Sequence, residues 1–109
     1  MAYDEALAAR VRKALHGRHG LGEKKMFGGV AFMLDGNMCC GITGPSLFVR
    51  LAPTDAQAAL AEPHTRVFDM SGRPMKGWVV VTENGLADDG ALARWVGRGA
   101  AFAATLPAK

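Results

Sequence analysis

The segment KKMFGGVAFMLDGNMCCGI, Lys24 to Ile42, decides the fold. Met26 to Leu34 is apolar throughout and reads as a strand. Asp35-Gly36-Asn37 follows, and these residue types accept the positive φ that tight hairpin turns require. Met38 to Ile42 then returns as the partner strand. Thr43-Gly44-Pro45-Ser46 turns the chain again, and Leu47 to Leu51 supplies a third strand. Two hairpins in succession make an antiparallel meander. Gly28 and Gly29, behind Met26 and Phe27, mark a bulge or a close backbone approach, the usual meanings of glycine in a strand.

Helical periodicity lies on both sides of this meander. Tyr3, Leu7, Val11 and Leu15 recur every four residues, which predicts an amphipathic helix from Tyr3 to His16, stopped by Gly17 and Gly20. Downstream, Asp55 to Glu62 reads as a short helix capped by Thr54 or Asp55 and ended by Pro63. His64 to Phe68 is a short strand, Asp69 to Gly77 a loop, and Trp78 to Val81 a β-branched, aromatic strand. Asp88 or Asp89 caps a last helix, in which Leu92, Trp95, Val96, Gly99, Phe102 and Leu106 form one stripe. The order α-β-β-β-α-β-β-α predicts an α+β two-layer sandwich, an antiparallel sheet covered by helices.

The chain of 109 residues is one domain by length, and 50% hydrophobic with 21% charged residues is the composition of a globular protein. It has no apolar run long enough for a membrane span, and its amphipathic N-terminus lacks the apolar core of a secretory signal. The expected location is the cytoplasm, with Cys39 and Cys40 as reduced thiols. On a regular strand these two would point to opposite faces, which assigns them to packing rather than to a redox or metal role. The net charge of +3 is uneven. Arg10, Arg12, Lys13, Arg18, Lys24 and Lys25 face Glu23 as the one acid, a local +5 that leaves −2 for the rest. Such a stretch is either a solvated face or a surface for phosphate or an acidic partner.

Signatures of chemistry are missing. Gly28-Gly29 precedes a strand and follows its lysines, so it is neither a P-loop nor a dinucleotide fingerprint. His16 and His19 have no third ligand nearby, and the methionines suit an irregular core, so neither metal nor cofactor is expected. Cys39, Cys40, Ser46 and His64 share no nucleophile signature, and no catalytic residue is assigned. Arg73, Met75, Lys76 and Trp78 combine cations with an amphipathic aromatic, residue types common in binding surfaces. The alternative is a small-molecule or enzyme pocket built from Arg50, His64 and Arg73.

Several blocks, in order, carry a family resemblance: Lys25-Met26-Phe27-Gly28-Gly29-Val30-Ala31-Phe32-Met33, Gly36-Asn37-Met38, Leu47-Phe48-Val49-Arg50, Ala61-Glu62-Pro63-His64, Met70-Ser71-Gly72-Arg73-Pro74-Met75-Lys76-Gly77-Trp78 and Leu92-Ala93-Arg94-Trp95-Val96. Together they resemble the N-terminal domain of TfoX/Sxy-like proteins across nearly the whole chain. The resemblance implies the same α+β sandwich, no established catalytic residues, and a non-enzymatic regulatory or adaptor role. It also implies a protein partner, a transcription factor such as the cyclic-AMP receptor protein, as for the family's competence regulators. Those regulators carry a C-terminal helical domain for which residues 1–109 are expected to leave no room. Direct nucleic-acid binding is a weaker expectation, because no DNA-binding motif accompanies the modest charge. A sheet edge or the Ala-rich last helix is a candidate homodimer contact.

Overall fold

A computed structural model describes residues 3–26, 28–70 and 73–108; Phe27 and the side chains of Met26, Arg73 and Met75, all singled out above, lie outside the described residues. The chain forms α1 (Glu5–Leu15), β1 (Leu21–Met26), β2 (Gly29–Leu34), β3 (Asn37–Thr43), β4 (Ser46–Arg50), α2 (Pro53–Ala59), β5 (Thr65–Met70), β6 (Arg73–Val81), a 3-10 turn (Glu83–Leu86) and α3 (Asp89–Ala103). The six strands make one open antiparallel sheet in the order β1-β2-β3-β4-β6-β5. This is the expected α+β class, with one strand more than the sequence pattern predicts.

The core explains the layering. Alternate strand residues Val30, Phe32 and Leu34, then Leu47, Val49 and Leu51, then Val79 and Val81, join one buried cluster. Leu7, Val11 and Leu15 of α1, Ala56 and Ala59 of α2, and Leu92, Trp95 and Val96 of α3 complete it, so all three helices cover one face. On the other face Phe48 stacks on Phe68 at 5.0 Å between centroids, and Trp78 stands against both at 5.7 and 5.8 Å. The Phe48 ring lies across Gly41, where a Cβ would overlap it.

The structure corrects five expectations. Residues 21–25, to which the sequence pattern assigns no strand, join Met26 in the edge strand β1; Leu-Gly-Glu-Lys-Lys has no apolar alternation because none of these residues is buried. The apolar run from Met26 is therefore split between β1 and β2 at Gly28, whose φ is +72°. Helix α2 starts at Pro53, which suits the first helical position, with Ala52 before it and no side-chain cap. The expected loop from Asp69 to Gly77 is largely strand, for β6 begins at Arg73 and carries Gly77 at φ +83° within it. The 3-10 turn was not predicted; Glu83-Asn84-Gly85-Leu86 is too short to show a period.

The fifth correction concerns the cysteines. The β2–β3 hairpin turns at Asp35 (φ +51°) and Gly36 (φ +82°), and Leu34 pairs with Asn37 and Met33 with Met38. Beyond that point Phe32 pairs with Cys40 rather than with Cys39. Cys39 is thus an extra residue in a β-bulge, which cancels the alternation that would have parted the two thiols. Both are fully buried in the helix-side core, with their sulfurs 3.8 Å apart.

Candidate functional site

Gly77 shapes the surface that Lys76 and Trp78 occupy. Its left-handed conformation bends β6 while its carbonyl oxygen still accepts from the Leu51 N–H at 2.8 Å. Exposed Lys76 and half-buried Trp78 consequently line a groove with Pro53, Ala56, Gln57 and Leu60 of α2. Val67, 40% exposed on the edge strand β5, closes its far side. The groove encloses about 170 Å³, below the roughly 300–1,000 Å³ of drug-sized ligand sites. Its dimensions suit one or two inserted side chains. The groove's Val67 and α2 residues were not singled out from the sequence. The sheet order, with β5 next to β6, brings Val67 to Lys76 and Trp78, and the packing of α2 on β6 brings the helix residues.

Beside the groove, Arg50 holds its guanidinium 5.8 Å from the Trp78 ring centroid and 5.5 Å from that of Phe102. His64 lies elsewhere. Its backbone is left-handed (φ +63°), and its carbonyl accepts from the Thr82 N–H at 2.8 Å, four residues along β6 from the Trp78 that pairs with Arg50. At ~3.3 Å per strand residue the two positions are ~13 Å apart. Arg50 and His64 do not meet in one described pocket, and the third member of that set, Arg73, has no described side chain.

Two members of the basic stretch are held in intramolecular pairs. Arg10 turns to the start of α3, donating to the Leu86 carbonyl at 2.6 Å and to Asp89 at 3.0 Å. Arg12 turns the other way and grips Glu23 of β1 through two bonds of 2.6 and 2.9 Å. That hydrogen-bonded pairing holds the Glu23 carboxyl below its ordinary value, against the opposing effect of burial. Lys13, Arg18, Lys24 and Lys25 stay exposed without an ion-pair partner among the described residues. Lys24 and Lys25 sit on the free edge strand, where charge discourages a further strand from pairing.

Two further hollows flank α3. One, about 610 Å³, opens between α2 and α3 over Leu51, Asp55, Arg98 and Phe102. Arg98 crosses this region, 4.3 Å from the Trp95 ring centroid and 2.9 Å from Glu62. The other, about 290 Å³, lies between Arg18, His19, Asp35 and the C-terminal half of α3. Among the described residues no group of three or more His, Cys, Asp or Glu is placed to hold a metal ion, and no helix is long and apolar enough to cross a membrane.

In the cysteine pair, the thiol contact with Cys40, and then the Arg18 charge, hold Cys39 below the ordinary thiol value of 9.0 against the effect of burial. The same contact and full burial push Cys40 well above it. Above pH 9 the unfolded chain loses both thiol protons while the folded chain keeps that of Cys40, so the folded state binds more protons and stability falls as pH rises. The expected limiting slope is about 1.4 kcal/mol per pH unit. Urea midpoints measured upward from pH 9 check this, because below that value the lowered Cys39 thiol makes stability rise with pH. Cys40→Ala should flatten the decline, and an unchanged slope in that variant would assign the effect to other groups.

A one-sided helical layer on an open antiparallel sheet, with a small groove where α2 meets the outer hairpin, defines a compact α+β domain. The sequence profile of the TfoX N-terminal domain matches residues 13–103, most of the chain. The chain belongs to the TfoX N-terminal domain family. Comparison with curated proteins and with solved structures returned no match.

Proposed function

We propose that this domain is a non-enzymatic regulatory or adaptor module that works by binding a protein partner in the Lys76–Trp78 groove. The observation that carries the proposal is the meeting of Lys76, Trp78 and exposed Val67 around one apolar hollow beside α2. A partner segment with an apolar anchor and a neighbouring carboxylate matches that chemistry, the anchor filling the hollow and the carboxylate facing Lys76. Family membership supports this reading and makes a transcription factor of the cyclic-AMP receptor type the first partner to test, in a cytoplasmic setting. The scattering of Arg10 and Arg12 into internal pairs leaves direct nucleic-acid binding the weaker route.

A tagged domain captured from lysate with and without nuclease, read by mass spectrometry, tests the proposal. A protein retained after nuclease, whose affinity falls at least tenfold in Val67→Glu and in Lys76→Glu without a change in melting temperature, is the expected result. Equal retention by both variants would remove the groove from the reading, and loss of every partner with nuclease would move the function to nucleic acid.

The small-molecule reading shifts from Arg50, His64 and Arg73 to the α2–α3 hollow, whose volume of about 610 Å³ lies within the range of ligand sites. A metabolite screen by thermal shift, repeated on Phe102→Ala, distinguishes it. A ligand that stabilises both proteins equally does not use this hollow.

A further inference from the structure

The β-bulge at Cys39 brings together two chemically soft groups that form no disulfide and whose sulfurs touch each other. Both sulfurs lie on the helix side of β3, 3.8 Å apart. We propose that Cys39 and Cys40 form a two-thiol chelation site for trivalent arsenic compounds, electrophiles that bind two thiolates and keep one substituent of their own.

Three physical considerations select this ligand class. Adjacent α-carbons across a trans peptide stand about 3.8 Å apart, inside the ~4.4 Å lower limit for ordinary disulfides. Direct S–S bonding therefore demands backbone reshaping, whereas an atom bridging the two sulfurs does not. A structural zinc ion wants four ligands, and the described residues offer no cluster of even three. Thiolates prefer soft acceptors, and a monosubstituted trivalent arsenical needs only the two ligands present here.

Access is through the smaller hollow beside α3. Its wall residues Leu34, Ala100 and Ala103 belong to the same buried cluster as both cysteines, and in this proposal they are the layer through which a reagent reaches the thiols. Arg18 stands at the rim, and its charge favours the thiolate of Cys39. Local opening of this layer admits the reagent. With an organoarsenic oxide the step is ligand exchange. Two S–H bonds break and two As–S bonds form, the oxide oxygen leaves as water with both protons, and arsenic stays trivalent.

Phenylarsine oxide added to the folded domain in excess glutathione is the test. One adduct per chain by intact mass, a raised melting temperature, and release by dithiothreitol but not by the monothiol are expected, because a ligand of the native state stabilises it. Cys39→Ala and Cys40→Ala should each lose the glutathione-resistant adduct. A lowered melting temperature, meaning capture of the unfolded chain, would overturn the proposal. So would displacement by glutathione in the unmutated protein, an observation that needs no variant to fold. Absence of an adduct, or equal adducts in either single-cysteine variant, would end it as well.

Discussion

Replacing Gly29 with valine is expected to destabilise the domain by about 3 kcal/mol or more, at the upper end of overpacking effects. Gly29 is buried at the start of β2, where a Cβ would overlap the carbonyl oxygen of Ile42 and approach its carbonyl carbon to 3.0 Å. Those atoms belong to the backbone of the paired strand, so relief requires moving β3 and disturbing the adjacent Val30–Ile42 pair. A side chain cannot simply rotate away. Melting temperature should fall by well over ~10 °C for a domain of this size. Gly22→Ala serves as the control, since Gly22 has nothing within 4 Å of its added Cβ. If both variants melted alike, the close approach of β2 to β3 would not be what requires glycine at position 29.

Two glycines one residue apart in α3 should respond with opposite signs. At Gly97 an added methyl meets nothing within 4 Å, and alanine is the better helix former, so Gly97→Ala should stabilise by up to ~1 kcal/mol. At Gly99 the same methyl would overlap the carbonyl oxygen of Cys39, with Cγ1 of Val49 at 3.1 Å and the Cys39 carbonyl carbon at 3.3 Å. Here the gain in propensity is outweighed by separation of α3 from β3 and β4. Gly99→Ala should lose about 2–3 kcal/mol net. Urea unfolding with both variants measures the difference directly. Stabilisation by Gly99→Ala would mean that the helix can lift from the sheet at little cost.

The same contrast shows what was legible in the residues. Trp78 to Val81 and Leu47 to Leu51 declared themselves through β-branched and aromatic content, and Asp35-Gly36 through its turn chemistry, because those signals are local. β1 did not, since none of Leu21 to Lys25 is buried and the strand carries no apolar alternation to read. β6 was shortened by Pro74 and Gly77, which normally punctuate strands; here Gly77 bends one without ending it. The bulge had a readable trace. After a two-residue turn, Leu34, Phe32 and Val30 call for apolar partners at positions 37, 39 and 41, yet the returning strand places glycine at 41 and isoleucine at 42. That parity slip is one extra residue. As for the groove, Lys76 and Trp78 came from residue type alone, whereas Val67 joins them through the β6-β5 order and Leu60 through the packing of α2 on β6. Within the basic stretch, Arg10 and Arg12 of α1 turn to different neighbours, which their position in the sequence alone did not show.

The strand order also divides the folding reaction. Strands β1 to β4 pair with sequence neighbours, as do β5 and β6, so both halves assemble through short loops. The seam between β4 and β6 alone skips elements, joining residues 28 to 34 positions apart, from Arg50–Trp78 to Leu47–Val81. Among the strand pairings that seam closes the longest loop, so it is expected to be the slow step of sheet assembly. Truncations there, such as Val49→Ala or Val79→Ala, should retard refolding, while equivalent truncations inside either half should chiefly hasten unfolding.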